Sequence, residues 1–449
     1  MHHSRSAWLC VALVCLTTTA QAGDKYRFEE PVDDTRVFGV GTRIDINGKT
    51  QPSPKDQPLA LVASAALSYR ERRLLGPGTD AESFRSVRDY EQTLTEIDAG
   101  GQKSSVQLAD SLKLMVAQGR ADGVELYSLG GTLTSNELDL LRSPADSLAL
   151  MALLPTKEVE IGDKWLVPTW AFQMLTAMDA VVKGELACTL VSVEKQIAKI
   201  KLDGKLEGAA LSAVSEITVN GYFEYDLTQK CISHCDFTQV EKRGLGPVVP
   251  AFEFTARVRL LRKPAQLPGR LSEKKNIDLA ANEPKPSVRF LRFESPWNIG
   301  FEYPRYWHLW KIHDRAAIFR LIDEGNFVAQ CDLAPLNQAK PGEHLAEAVF
   351  VRDIQTAMGE RIKSMGTGEV ISTADRRFIY RISATGAEGE RQLTWIFYLI
   401  ADHTGRQASL SVTVDTALVE TLANREREFV NNLRFGPAPV SPTARTTSR

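Results

Sequence analysis

The sequence lacks two features that would place it in a familiar class of protein. Beyond residue 22, no stretch reaches the 18 consecutive apolar residues that a membrane-spanning helix needs, so we predict no transmembrane segment. Strong net charge is also absent. The first 22 residues hold one Arg and no acids, and the remainder carries 53 basic against 56 acidic residues. A nucleic-acid binder needs a basic excess on one face, so we predict no nucleic-acid partner.

Catalytic signatures are absent as well. The chain has no G-x-S-x-G, no H-E-x-x-H, no Walker loop and no G-x-G-x-x-G. Histidine is scarce, with five residues beyond residue 22, so catalysis by imidazole has few candidates. We therefore predict a protein that is not an enzyme and has no cofactor and no metal site. An enzyme of unrecognised type stays an alternative, which two converging carboxylates or a His with a shifted pKa in a cleft would favour.

Cysteine is rare, and four of the six cysteines lie beyond residue 22. On one strand Cys231 and Cys235 would lie about 13 Å apart, too far to bond each other. Either could meet Cys188 on a neighbouring strand, so one disulfide among Cys188, Cys231 and Cys235 is an option. Cys331 alternates with apolar residues and is predicted to be a buried thiol. A metal site at Cys231-x-x-His234-Cys235 lacks a second ligand pair at usable spacing.

The first 22 residues have the pattern of a signal peptide. Arg5 supplies the positive charge, WLCVALVCL the apolar region, and Ala20-Gln21-Ala22 a cleavage site after Ala22. We therefore predict an exported protein, periplasmic or extracellular, in which disulfides are permitted. Lipidation at Cys15 is the alternative, and the Val before that Cys disfavours it.

The length favours more than one domain. We predict a signal peptide over 1–22, a β-rich domain over 23–262, a linker over 263–287, a second domain over 288–436 and a disordered tail over 437–449. Four prolines and a charged Glu273-Lys274-Lys275 mark the linker.

In the first domain, apolar residues alternate with polar ones, as at Ile217, Val219, Phe223 and Tyr225. This period predicts a strongly curved antiparallel sheet with one wet face. A first strand is predicted over Val37–Asn47, ending at an Asn47-Gly48 turn. Covering helices are predicted at the capping box Thr134–Glu137 and over 144–153. The domain resembles a group of uncharacterised secreted bacterial β-rich proteins, through Leu153-Leu154-Pro155, Val159-x-Ile161-Gly162-Asp163-x-Trp165 and Gly221-Tyr222-Phe223-x-Tyr225-Asp226.

The second domain shows strands, a helix over Glu343–Met358, further strands and a closing amphipathic helix over Thr416–Leu433. It resembles the PsbP-like fold over about 150 residues, through Phe293, Pro296, Gly300-Phe301-x-Tyr303-Pro304 and Trp307. The resemblance implies an α/β/α sandwich with an antiparallel sheet, so the whole chain is predicted to be α+β. Members of that fold mostly bind partner proteins or act as assembly and stabilising subunits.

We therefore predict a binding or assembly protein of the bacterial cell envelope, whose partner is an unidentified envelope protein or an apolar small molecule. Trp297, Tyr303, Trp307 and Trp310 are the candidates for a ligand or partner surface, with core packing as the alternative. The second hypothesis is a carrier of a lipid or other apolar ligand. An open apolar cavity, rather than a filled core, beneath Ile217, Phe223, Phe252 and Phe254 would distinguish it.

Two charged patterns have alternative interpretations. Five arginines between positions 70 and 88 could hold an anion, but interleaved acids favour a neutralised wet face; the arginines are Arg70, Arg72, Arg73, Arg85 and Arg88. His308 and His313 flank Trp310 and could form a metal or pH-sensitive site, against the alternative that they are surface residues.

Overall fold

The computed structural model describes residues 24–31, 36–74, 80–266, 269–313, 315–373 and 375–436. The predicted signal peptide and the predicted tail lie outside the described residues. The described part is mostly strand, 54% against 17% helix, and its strands form three antiparallel sheets. The predicted α+β class, with helices covering the first sheet and an α/β/α sandwich after it, is therefore wrong.

The largest sheet has twelve strands. Its strand order is β6-β5-β3-β2-β1-β12-β11-β10-β9-β8-β7, with β4 paired to β3. The first and last strands pair along their whole length, from Val37 opposite Ala265 to Gln51 opposite Ala251, which joins the two halves of the meander. The bounds are β1 Val37–Gln51, β2 Leu59–Arg73, β3 Arg85–Ala99, β4 Gln102–Val106, β5 Leu114–Arg120, β6 Gly123–Ser128, β7 Lys164–Leu166, β8 Ala180–Glu194, β9 Ile197–Ala210, β10 Ala213–Asp226, β11 Cys231–Arg243 and β12 Ala251–Ala265.

One face of this sheet is buried, as the period-two pattern predicts. On β10, Ile217, Val219, Phe223 and Tyr225 are buried, and polar residues between them are more exposed. Because successive side chains on a strand point to opposite faces, this alternation places one continuous apolar face on the core.

The helices against this face are short. Helix α1, Ser135–Leu141, begins at the predicted capping box: the Thr134 hydroxyl accepts from the Glu137 N–H at 3.2 Å, and the Glu137 carboxylate accepts from the Thr134 N–H at 2.8 Å. The helix predicted over 144–153 is reduced to a 3-10 turn at Leu150–Leu153. Ala145 has a φ of 63°, a left-handed conformation that cannot continue a helix. Helix α2 is Thr169–Thr176.

The segment predicted as a linker contains two short helices, α3 Gly269–Ser272 and α4 Lys274–Ala281. Leu271 and Ala280 from these helices are buried against Val37 and Val87 of the large sheet. The segment is thus packed on the sheet that precedes it.

The rest of the chain forms a three-stranded and an eight-stranded sheet. The strand order is β13-β14-β23 in the smaller sheet and β15-β16-β17-β22-β21-β20-β18 in the larger, with β19 paired to β20. The bounds are β13 Leu291–Glu294, β14 Ile299–Tyr303, β15 Trp307–His313, β16 Ala316–Asp323, β17 Asn326–Pro335, β18 Ile362–Met365, β19 Glu369–Ile371, β20 Phe378–Glu388, β21 Arg391–Ala401, β22 Gln407–Asp415 and β23 Arg434–Phe435.

The eight-stranded sheet is not covered by two helical layers. Helix α5, Glu347–Met358, packs Phe350 and Ile354 on one face. The helix predicted over Thr416–Leu433 is broken, because Ala423 and Asn424 have φ angles of 52° and 60°. What remains is a 3-10 turn at Thr416–Leu418, α6 at Val419–Leu422 and α7 at Arg427–Asn432. These pieces share the second face with the three-stranded sheet, where Phe429 of α7 meets Phe301 at 5.1 Å between ring centroids.

A candidate ligand-binding cleft

Two cavities lie side by side where the twelve-stranded sheet meets the start of β15. The cavity with the more polar wall has a volume of about 580 Å³, and the one with the more apolar wall about 340 Å³. We call the pair the cleft. The wall between the two cavities is made of residues that line both: Asp122, Val124, Asp139, Arg142, Asp179, Leu211 and Val249.

The apolar cavity lies against the buried face of the large sheet. Ile44 and Ile46 of β1 line it, together with Phe252 and Phe254 at the facing end of β12 and Met174 of α2. Pairing of β1 with β12 brings these residues together, since Ile46 is opposite Ala256, two residues from Phe254. Phe252 and Phe254 are only partly buried, as expected for side chains with a cavity on one side.

The carrier hypothesis named four residues over such a cavity, and the structure separates them into two pairs. Phe252 and Phe254 line the cavity. Ile217 and Phe223 are fully buried in packed core and do not line it. The cavity therefore occupies one end of the buried face, while the β10 region beneath Ile217 is filled.

The polar cavity takes its charged residues from four places, of which the β5–β6 hairpin provides Arg120, Asp122 and Glu125. Helix α1 provides Asp139, and Arg142 follows directly after the helix; Asp179 precedes β8; Arg305 precedes β15, and His308 lies on it. The sequence separations are large, so only the tertiary fold brings these residues to one cavity.

Arg305 is fixed by the main chain rather than by an acid. Its Nε donates to the Arg289 carbonyl and its Nη2 to the Leu126 carbonyl, both at 2.6 Å. Among the described residues, no carboxylate lies within ion-pair distance of it. The pKa of Arg305 is lowered to about 10: burial lowers it most, Glu125 opposes the shift, and the charges of Arg142 and Arg289 add to it.

Asp139 faces the cleft without a hydrogen-bond partner in the described part of the chain. Solvent reaches it from the cleft while protein surrounds it on the other sides, and this desolvation raises the pKa of its carboxyl. Arg142 opposes the rise and Asp179 adds to it. The Arg142 to Asp179 contact is long, at 3.9 Å, and Asp179 also accepts from the Leu211 N–H at 2.6 Å.

His308 lies in the wall of the polar cavity and is half-buried. Burial lowers the pKa of its imidazole to about 4, with Arg142 lowering it and Asp179 raising it. The ring is therefore neutral at pH 7. His313 is exposed. No group of three or more potential metal ligands occurs within the described ranges, and the two histidines do not form one.

The four aromatic residues predicted as a ligand surface do not form one. Tyr303 and Trp307 are fully buried, and Trp297 packs against the core. Trp310 is 40% exposed, with the Arg320 guanidinium stacked 3.6 Å over its ring. Trp307 does line the polar cavity, and its buried indole N–H has no hydrogen-bond partner in the described structure. Core packing, the alternative, accounts for the other buried rings.

The candidate disulfide is not formed. Cys188, Cys231, Cys235 and Cys331 are buried free thiols. Strands β9 and β10 separate β8, which carries Cys188, from β11, which carries the other two candidates. Burial raises the pKa of Cys231 to about 11 and that of Cys235 to about 12, so both are protonated at neutral pH.

Two of the five arginines between positions 70 and 88, Arg73 and Arg88, belong to a buried ion network instead of an open anion site. Arg88 donates to Glu71 at 2.9 Å and to both oxygens of Asp146, at 2.6 and 2.9 Å. Arg262 donates to both oxygens of Glu30, at 2.7 and 2.9 Å, and Arg73 is the second ion-pair partner of Glu30. Three acids balance three arginines away from solvent, so the network has no charge left for a ligand.

No family model matches the chain, and no curated protein matches it. Similar solved structures include lipovitellin, in a study of its lipid–protein interactions, with a TM-score of 0.30, 8% identity and coverage of 53% of this chain. The chain spans 26% of that one. OprB of Pseudomonas putida has a TM-score of 0.13 and 8% identity over 85% of this chain and 93% of its own. OmpT, an outer membrane protein of Vibrio cholerae, also has a TM-score of 0.13, with 7% identity over 85% and 99%.

At such low TM-scores these likenesses indicate neither the fold nor the function of this chain. The resemblances to PsbP-like proteins and to secreted β-rich proteins are not tested by them and stay predictions. Across the described ranges, every helix is too short or too polar to cross a membrane.

Proposed function

We propose that this protein is a non-enzymatic carrier that binds a small amphipathic molecule in the cleft. The observation that supports the proposal is the pairing of an apolar cavity, walled by Ile44, Ile46, Phe252 and Phe254, with a polar cavity beside it. Each volume lies within the range of about 300–1,000 Å³ that is typical of small-molecule sites. Export to the cell envelope, predicted from the first 22 residues, belongs to the proposal.

Binding of an envelope protein through the aromatic residues predicted as a partner surface has less support. Of its four aromatic candidates, only Trp310 presents a substantial exposed surface, and that ring is covered on one side by Arg320. A carrier needs no such surface, so the cleft is the better basis for a function.

A second candidate function is an acid–base enzyme acting in the polar cavity. Asp139, whose pKa is raised, and Asp179 both line this cavity, together with the neutral His308. Two carboxylates in different environments can share proton transfer. Turnover of chromogenic esters or glycosides that disappears in Asp139→Asn, while the folded state is retained, would favour the enzyme; a carrier gives no turnover with either protein.

The carrier is tested by binding of the neutral apolar dye N-phenyl-1-naphthylamine, followed by its fluorescence. We expect Phe254→Lys, which puts a charge into the apolar cavity, to weaken binding roughly tenfold or more because a buried apolar wall is lost. Thr255→Lys on the same strand is the control, because Thr255 is exposed and points to the opposite face. Circular dichroism checks folding, and Phe254→Ser repeats the comparison without a charge.

Equal dye affinity in Phe254→Lys and Thr255→Lys, or no dye binding by the wild-type protein, would contradict the carrier. Native mass spectrometry of protein purified without detergent gives an independent result. A small molecule present in the native mass and lost on denaturation supports the proposal and reports the ligand mass.

A further inference from the structure

The polar cavity contains one cation, Arg305, that forms no ion pair with a carboxylate in the described structure. The two main-chain carbonyls that hold Arg305 use its Nε and one of its terminal nitrogens. The remaining nitrogen, Nη1, has no hydrogen-bond partner among the described residues and is not one of their buried polar atoms, so it is accessible. The guanidinium is thus held in place at the cleft wall with unused donors.

On the Glu125 side of the polar cavity, the charges around Arg305 leave a positive excess. The Glu125 carboxylate forms ion pairs with both Arg120 and Arg289, each at 3.0 Å. Glu283 pairs with the same two arginines, at 3.8 Å from Arg120 and 2.6 Å from Arg289. Three arginines are therefore balanced by two carboxylates, and the charge that remains is that of Arg305. An unpaired charge in a partly desolvated site is costly, so an anion placed beside it would be strongly favoured.

We infer that the ligand of this cleft is an amphipathic anion, whose carboxylate or phosphate group binds Arg305 and whose apolar part enters the adjoining apolar cavity. A guanidinium presents two parallel N–H donors that match a carboxylate or phosphate, and such charged hydrogen bonds are among the strongest in proteins. This inference rests on the proposed carrier function.

The acids in the polar cavity restrict where the anion binds. Asp139 and Asp179 lie on the side of Arg142, and Arg142 already balances one of them. An anion is therefore repelled from the Asp139 side and attracted to the Arg305 side. This arrangement provides a substitution that strengthens binding: Asp139→Asn removes a repelling charge without touching any hydrogen bond of Arg305.

The experiment is isothermal titration calorimetry of the full-length mature protein with three probes, below the critical micelle concentration of the detergent-like ones. Dodecyl phosphate carries head and tail, dodecyltrimethylammonium carries the same tail with a cationic head, and inorganic phosphate carries the head alone. We expect dodecyl phosphate to bind about tenfold or more tightly than either of the other probes.

Substitutions assign the effect to Arg305. We expect Arg305→Met to weaken the binding of dodecyl phosphate by about 10- to 100-fold, because a charged hydrogen bond is lost. Arg305→Lys should restore part of the affinity, because its ammonium group partly replaces that bond. Asp139→Asn is expected to strengthen the binding of dodecyl phosphate several-fold. It keeps the inference testable if Arg305→Met fails to fold, and weaker or unchanged binding by Asp139→Asn would count against the inference.

The outcomes separate the inference from the carrier. Equal binding of dodecyltrimethylammonium and dodecyl phosphate would overturn the anionic head group and leave the carrier standing. Inorganic phosphate that binds as tightly as dodecyl phosphate would overturn the carrier, since the tail would contribute nothing. Unchanged affinity for dodecyl phosphate in a folded Arg305→Met variant would overturn only the role assigned to Arg305.

Discussion

At the residue scale, two kinds of arginine occur in this protein, and they differ in the groups that accept their hydrogen bonds. Arg88 and Arg262 lie in the core, and each donates to both oxygens of a carboxylate. Arg305 is held by carbonyls and, in the part of the chain that the structure describes, pairs with no carboxylate. In the sequence the first kind attracts attention, because charged residues cluster there, whereas Arg305 stands alone between Pro304 and Tyr306. Which arginine lacks a counter-ion depends on tertiary packing, so no local pattern could identify it.

The buried network makes stability depend on pH through Glu30. Its pKa is lowered from 4.5 to about 2: burial raises it, but the charges of Arg262 and Arg73 lower it by more. A lowered folded-state pKa gives stability that is fully present above pH 4.5 and is lost as the pH falls towards 2. We expect Glu30→Gln to reduce the free energy of unfolding by about 3 kcal/mol at pH 7, because it leaves Arg262 unpaired in the core.

Urea unfolding of wild type and Glu30→Gln at pH 7, 4 and 3 checks this prediction. The difference between the two proteins should shrink as the pH falls below 4.5. The control is Glu29→Gln, an exposed neighbour that pairs with Arg27, which should change stability by less than about 0.5 kcal/mol. A Glu30→Gln deficit that stays constant from pH 7 to pH 3 would be inconsistent with the network.

At the element scale, the sequence predicted where the strands lie better than where they end. A period-two pattern located β10, and the capping box located the start of α1. The turn predicted at Asn47-Gly48 is wrong, because β1 runs on to Gln51. Gly there permits close approach of β12 rather than a turn, and a glycine in a sequence does not reveal which of the two it serves. The broken final helix was missed for a similar reason, since left-handed Ala423 leaves no signature.

Two glycines of β1 test this explanation. A Cβ on Gly48 would lie 2.2 Å from the Glu253 carbonyl oxygen and 2.6 Å from the Phe254 Cα, so Gly48→Ala must push β12 away. We expect a loss of about 1–3 kcal/mol in the free energy of unfolding. Gly41 lies on the same strand with nothing within 4 Å of an added Cβ, and Gly41→Ala should be neutral or slightly stabilising. Denaturant midpoints measure both, and equal losses would show that the contact with β12 does not matter.

A hydrophobic core that is continuous through the three sheets holds the whole molecule together. One hydrophobic cluster includes Phe223 of the twelve-stranded sheet, Phe301 of the three-stranded sheet and Val412 of the eight-stranded sheet. Main-chain hydrogen bonding also crosses over, since the Arg292 N–H donates to the Leu133 carbonyl at 2.7 Å. The sequence could indicate a proline-rich boundary at 263–287, but not that Leu271 and Ala280 would be buried there. The cleft depends on this continuity, because its walls come from both sides of that segment.

A continuous core predicts that the chain unfolds in one transition, whereas two domains joined by a solvated linker would unfold separately. We expect differential scanning calorimetry to give a single peak whose calorimetric and van't Hoff enthalpies agree. Glu30→Gln, which acts in the twelve-stranded sheet, should lower that whole peak by several degrees without splitting it. Tryptophan fluorescence, which also reports Trp395 in the eight-stranded sheet, should lose its native signal at the same temperature. A second peak that Glu30→Gln leaves in place would show that the eight-stranded sheet is stable by itself, and the cleft would then lie between independently folding parts.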